Sequence, residues 1–226
     1  MKKTSLSFTI LLLLFGTVIF AASCKKETAI NENDTNGVFN SAYLTSQINA
    51  LPKETLSAAE IEGLTYLREE EKLARDVYIK LYEKYGARVF NNIYNSEITH
   101  TNAVLQLLTK YQLTDPVGGN GVGIFTNTKL QNLYNTLIAK GNLSLLNAYQ
   151  VGATIEDVDL FDLKEKVAVV DNQDIKLVYD MLAKGSRNHM RAFYKNLVNI
   201  GSSYTPQYIT QSEFDAIINS PTETGF

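Results

Sequence analysis

The sequence predicts an all-α protein: an antiparallel four-helix bundle with one long crossover containing a short helix, and a short C-terminal helix. Three observations point there. Four stretches carry apolar residues in a three-four alternation, the mark of a helix with one buried seam. The connections inside the first and second helix pairs are short, which makes the paired helices antiparallel. Each seam also carries, near its middle, a side chain able to bind a metal.

The first helix opens at Ser57, with Glu60 three residues on in capping-box spacing. Its seam runs Leu64, Leu67, Glu71, Ala74, Tyr78, Leu81 and Tyr85, and Gly86 stops it. Glu69 and Glu70 fall off that line and read as surface charges. Gly86 to Val89 makes a short turn into the second helix, whose seam is Phe90, Ile93, Glu97, His100, Val104, Leu107 and Tyr111. A buried carboxylate is costly unless something pairs with it. Glu97-Ile98-Thr99-His100 supplies a reason to bury one, because Glu-x-x-His on a helix aims two ligands at one spot.

Between Gln112 and Asn142 the seam disappears. Asp115-Pro116 and Gly118, Gly119, Gly121 and Gly123 read as a loop, with Leu130 to Ala139 as a short helix. The glycines lack the Gly-Lys-Ser/Thr ending and the Gly-x-Gly-x-x-Gly spacing of phosphate-binding loops. The third helix is expected from about Leu143 to Val170, with Leu145, Tyr149, Gly152, Glu156, Asp159, Leu163, Val167 and Val170 along one stripe. Gly152, one turn before Glu156, keeps that face slim for a neighbouring helix. After the turn Asp171-Asn172-Gln173, the fourth helix carries Ile175, Val178, Leu182, Gly185 or Ser186, His189, Phe193, Leu197 and Ile200, and stops at Gly201.

Counting from the turns gives the depth of each polar residue. Glu71 lies fifteen residues before Gly86 and His100 about thirteen after it, a difference in level of ~3 Å at 1.5 Å per residue. Glu156 and His189 lie sixteen and seventeen residues either side of Asn172. The predicted metal ligands are therefore Glu71, Glu97, His100, Glu156, Asp159 and His189, which include both histidines of the chain.

The N-terminus carries an expectation of its own. Met1-Lys2-Lys3 and the apolar run Leu6 to Phe20 form a signal-peptide pattern, too short for a comfortable membrane span. It ends in Ala21-Ala22-Ser23-Cys24, which resembles a bacterial lipoprotein signal with Cys24 as the lipidated residue; an ordinary cleaved secretory signal is the alternative. Residues 1–23 are then leader, 24–52 a lipid-anchored polar spacer with a short helix over Phe39 to Leu51, 53–220 the bundle, and 221–226 a tail. This places the protein in the cell envelope, with the membrane as a partner through Cys24. Cys24 is the only cysteine, so no intramolecular disulfide supports the core. Losing Lys2 and Lys3 with the leader leaves nineteen basic against twenty-four acidic side chains, a net of about −5 without a basic patch. Nucleic acid is not an expected partner.

Glu71-Lys72-Leu73-Ala74-Arg75 with Tyr78, Glu97-Ile98-Thr99-His100, Glu156 and His189 together resemble the ferritin-like superfamily, and the first of these resembles the first-helix signature of rubrerythrins. More closely, the span from about Ser57 to Ser220 resembles the ferritin-like family called domain of unknown function 2202. That likeness rests on Leu67 to Tyr78, Asp171-Asn172 with Asp174-Ile175, Gly185 to Phe193, and Thr205-Pro206-Gln207-Tyr208. The resemblance implies a cofactor of one or two iron ions, with manganese or zinc as alternatives, and a small oxidant or metal ion as substrate. Ser186 stands where the superfamily has a fourth-helix Glu. Two ions then need Asp159 as the fourth carboxylate of the site.

Two functional readings follow. One is a metal centre that reduces peroxide or oxidises Fe(II); the other is a non-catalytic helical binding module whose Glu and His side chains form a metal-free hydrogen-bonded network. Hydrolysis by Ser186 and His189 lacks the strand-turn-helix elbow such a nucleophile needs.

Overall fold

A computed structural model describes residues 40–224. The leader, Cys24 and the polar spacer expected before residue 40 lie outside the described residues. Those described hold seven helices and no strand: α1 (Ser41–Ala50), α2 (Ala58–Tyr85), α3 (Arg88–Tyr111), α4 (Thr128–Gly141), α5 (Leu145–Val167), α6 (Gln173–Asn199) and α7 (Gln211–Ile218). None of them is long and apolar enough to cross a membrane.

The helix ends follow from local chemistry. Ser57 and Glu60 form a reciprocal capping box at the start of α2, and Gly86, at φ +64°, closes it in the left-handed conformation that costs glycine little. Ser144 caps α5, so that helix starts two residues later than the sequence predicts. Asn127 caps α4 in the same way, and that helix starts two residues earlier than the sequence predicts.

The four long helices α2, α3, α5 and α6 pack in a closed circuit: α2 on α3, α3 on α6, α6 on α5, and α5 on α2. α4 lies across α2 and α5, α1 touches α3 and α6, and α7 rests on α6. The interior is layered. One apolar cluster contains Val77, Tyr78, Leu81, Phe90, Ile93, Tyr149, Phe193 and Leu197, and a second contains Leu64, Leu67, Val104, Leu107, Leu163, Val178 and Leu182. On every long helix the residues between these clusters are polar and buried: Glu71, Glu97 with His100, Glu156 with Asp159, and Ser186 with His189. The polar residues thus share one depth, as counting from the turns predicts.

One expectation is overturned. Glu69 and Glu70 are not surface charges; each is only 2 % exposed. Glu70 is covered by α4 and α5, and Glu69 by the crossover between α3 and α4, which lies over the outer face of α2. Glu69 accepts the backbone N–H groups of Thr126 and Asn127 (2.9 Å for the latter). Arg68 grips Asp115 through two nitrogens at 3.0 Å each. Lys72, fully buried, pairs with Asp76 and donates to the carbonyls of Gly121 (2.8 Å) and Ile124 (3.1 Å), while its ammonium stands 4.3 Å from the centre of the Phe125 ring. Asp76 in turn accepts the N–H of Gly123 at 2.9 Å. The charged stretch of α2 is therefore a docking strip for a loop on one face and a polar interior on the other.

Candidate metal centre

The centre is organised by Glu97. Its Oε2 lies 3.0 Å from His100 Nδ1 and its Oε1 lies 2.9 Å from His189 Nδ1, so a single carboxylate spans both imidazoles. Each imidazole nitrogen has a second acid beside it: Glu71 Oε2 at 3.2 Å from His100 Nδ1, and Glu156 Oε2 at 3.3 Å from His189 Nδ1. The rings are stacked at 22° with centroids 5.2 Å apart. One ligand atom each from Glu97, His100 and His189 falls within 4.8 Å of the others, and all three residues are buried. Four elements contribute, α2 through Glu71, α3 through Glu97 and His100, α5 through Glu156 and α6 through His189.

The far sides of the rings meet one hydroxyl. Ser96 Oγ lies 3.3 Å from His100 Nε2 and 3.0 Å from His189 Nε2. A hydroxyl oxygen can accept from both ring Nε2–H groups, which turns both Nδ1 atoms towards the acids. Gly185 supplies the room, since a Cβ there would stand 2.3 Å from His100 Cε1. Gly152 does the same for Phe193, whose ring would lie 2.4 Å from an added Cβ. Tyr78, besides filling the apolar layer against Phe90 and Phe193, donates its hydroxyl to Glu156 Oε1.

The charges are strongly coupled. Burial pushes Glu71 up to about 7, against the pull of His100, while for Glu97 the effect of burial is overcome by His100 and His189, which hold it well below the usual carboxylate range. Burial disfavours the imidazolium of His189, but Glu156 and Glu97 outweigh it and raise that ring to about 9. His100 is raised for the same reason by Glu97 and Glu71. The set holds more acid than its two imidazoles can balance. Glu71 Oε1 and Asp159 Oδ2 are buried without a hydrogen-bond partner, which is the arrangement that a bound cation relieves.

Asp159 is at the right depth but, like Glu71 and Glu156, is not among the three residues whose ligand atoms converge within 4.8 Å. Ser186 points away, donating to the carbonyl of Leu182 at 3.1 Å. Three arginines close in sequence to the candidate ligands pair elsewhere: Arg75 with Asp76, and Arg187 and Arg191 with Glu223. Sequence reasoning missed Ser96 and Gly185. Ser96 had a signal, standing one helical turn before His100; Gly185 had only its smallness.

Residues 60–221 match the sequence profile of the family described as Uncharacterized protein domain (DUF2202). The chain belongs to the DUF2202 family. An uncharacterized protein of Methanocaldococcus jannaschii, MJ0754, is 53 % identical over 178 residues, covering 79 % of this chain and 96 % of that protein. The crystal structure of the hypothetical protein MJ0754 is similar with a TM-score of 0.76 at 54 % identity, covering 76 % of this chain and 99 % of that one. In this DUF2202 protein all the converging residues, and Ser96 and Gly185 with them, lie inside the matched span.

Proposed function

We propose that this DUF2202 protein is an exported, ferritin-like four-helix bundle that binds a transition metal, iron first, and turns over peroxide or Fe(II) in the cell envelope, tethered through a lipidated Cys24. The observation that carries the reading is the meeting of both imidazole Nδ1 atoms with both oxygens of Glu97 in a fully buried layer. Nitrogen and carboxylate donors in that mixture suit iron, manganese or zinc. Glu71, Glu97 and His100 would hold one ion, with Glu156 and His189 completing a second position that shares Glu97. A redox-active metal here would supply the electron transfer that peroxide reduction or Fe(II) oxidation requires.

The chain's own residues then have defined tasks. Ser96 would hold both rings in the tautomer whose Nδ1 is unprotonated when a metal is bound, and Tyr78 orients Glu156. The apolar clusters on either side keep bulk water from the layer.

A metal-free network is the second reading, favoured by one observation: each imidazole already stands within 3.3 Å of two carboxylates. Metal analysis and thermal denaturation decide between them. Under the first reading, reconstituted protein carries at least one equivalent of metal, and a chelator lowers its melting temperature; His100→Gln with His189→Gln abolishes both effects. Less than one equivalent after reconstitution, with melting indifferent to chelator, establishes the second reading instead.

A further inference from the structure

Arg187, Asn188 and Arg191 take no part in the histidine layer, although they alternate along α6 with Ser186 and His189, which do. With Lys184 they keep the spacing i, i+3, i+4, i+7, so the four form a second stripe on the same helix. All four hold residues near the C-terminus. Arg187 grips Glu223 as a fork, Nε to Oε1 at 2.8 Å and Nη2 to Oε2 at 2.6 Å, and Arg191 Nη2 donates to Oε1 at 2.9 Å. Asn188 holds the main chain of that same residue from both sides: its amide donates to the Glu223 carbonyl at 2.9 Å, and its Oδ1 accepts the Glu223 N–H at 2.9 Å. Lys184 donates to the next carbonyl, that of Thr224, at 2.8 Å. Arg191 Nη1 donates to Asn188 Oδ1 at 2.7 Å, which fixes the orientation of the amide.

What this stripe reads is a short chemical pattern: both main-chain groups of one residue, the carbonyl after it, and one carboxylate. Main-chain bonds for affinity combined with a charged fork for side-chain identity are the means by which peptide-binding surfaces select a ligand. None of these contacts requires the glutamate to belong to the same chain as α6. We propose that the Lys184–Arg187–Asn188–Arg191 stripe is a docking site for an extended, glutamate-bearing segment of a partner protein, and that residues 221–224 occupy it as an autoinhibitory contact.

Three features support an exchangeable occupant. Three cations converge on a segment with one carboxylate, so charge favours an acidic ligand. The grip is partly open to water, with the Glu223 and Arg187 side chains 30 % and 33 % exposed, and ion pairs of that exposure hold weakly. Beside it lies an open cleft of about 480 Å³ bordered by Arg187, Arg191 and Pro221, which leaves space for residues flanking a partner's glutamate. The receptor residues also lie inside the span 60–221 that matches the DUF2202 profile, and Glu223 lies beyond it. The proposal does not depend on the metal reading.

The test is fluorescence anisotropy of a labelled peptide Ser-Pro-Thr-Glu-Thr, the sequence of residues 220–224, added to the full chain. Glu223→Lys turns the cis carboxylate into a cation that the arginines repel, and so vacates the site. This variant is expected to bind the peptide at least ~10-fold more tightly than the unsubstituted chain, whose own tail competes at an effective concentration on the order of a millimolar. A peptide with Gln in place of Glu should bind it at least ~10-fold more weakly, and adding Arg187→Gln should cost as much. Glu223→Gln, which removes the charge with little change of shape, is the second variant and should rank the two peptides in the same order. Absence of peptide binding to both variants, or equal binding of the Glu and Gln peptides, overturns the proposal and shows the tail to be a structural clasp. Neither result bears on the histidine centre, because no arm of the experiment involves a metal.

Discussion

Gly185→Ala should unseat His100. The new Cβ would stand 2.3 Å from His100 Cε1 and 2.5 Å from Nε2, where ordinary contact begins at 3.4 Å, so the ring must retreat by ~1 Å. It has no free direction. Nδ1 is 3.0 Å from Glu97 and 3.2 Å from Glu71, Nε2 is 3.3 Å from Ser96, and the His189 ring is stacked against its face. Overpacking of this kind costs ~1–3 kcal/mol, offset by up to ~1 kcal/mol of helix propensity gained over glycine. The net loss of ~0–2 kcal/mol lowers the melting temperature by up to ~8 °C for a domain of this size. Metal affinity should suffer more. Loss of a ligand's orienting partner alone costs ~10–100-fold, and here the ligand itself is moved, so at least ~100-fold weaker binding is expected in competition with a chromophoric chelator. Gly152→Ala is the control, because its Cβ would press on Phe193 at 2.4 Å and not on an imidazole. It should lose similar stability and keep most of the affinity. Wild-type affinity in Gly185→Ala would refute the account of Gly185.

Three further perturbations test other parts of the reasoning. Ser96→Ala removes the hydroxyl shared by both Nε2 atoms and should weaken metal binding ~10–100-fold, with Ser96→Thr recovering most of it; equal affinity in all three proteins would rule out an orienting role. Glu60 is buried, which raises its pKa, but the N–H groups of Ser57, Asn172 and Asp171 and the Ser57 hydroxyl together hold it below the ordinary 4.5. Its contribution to stability is therefore complete above about pH 4.5 and lost as pH falls through the depressed value. Urea denaturation should show a gap between wild type and Glu60→Gln that is constant near neutrality and shrinks below about pH 4.5; a gap that widens on acidification contradicts this sign. Lys72→Met strips a fully buried partner from Asp76, for which ~3–5 kcal/mol is expected, towards the low end because Arg75 stays 2.7 Å from Asp76. Limited proteolysis should then cut the loop near Gly121 to Phe125 first, and a loss below ~1 kcal/mol would show the pair to be incidental.

Much of this architecture could be read from side-chain periodicity, because a helix repeats every 3.6 residues and buries one stripe. Glu71, Glu97, His100, Glu156 and His189 fall on those stripes, and short turns at Gly86 and Asn172 put them at one depth. Glu69, Glu70, Lys72 and Asp76 could not be read the same way. They lie off the α2 stripe; Glu69, Lys72 and Asp76 became buried because a distant, glycine-rich crossover folds over them, and Glu70 because α4 and α5 pack against it. Ser96 was hidden for a related reason: it belongs to the same turn as His100, but its partner on His189 comes from a helix ninety-three residues away.

By itself, the amino-acid order determined where helices start, stop and turn their apolar side, since caps, glycines and periodicity act over a few residues. It also set the level at which acids and imidazoles are buried, because that level depends only on rise per residue and turn position. Which nitrogen faces which oxygen, which acids are left without a partner, and which loop covers α2 were decided by tertiary structure. Those outcomes depend on rotation of each helix about its axis and on contacts between remote segments, to an accuracy of about an ångström that no local pattern encodes.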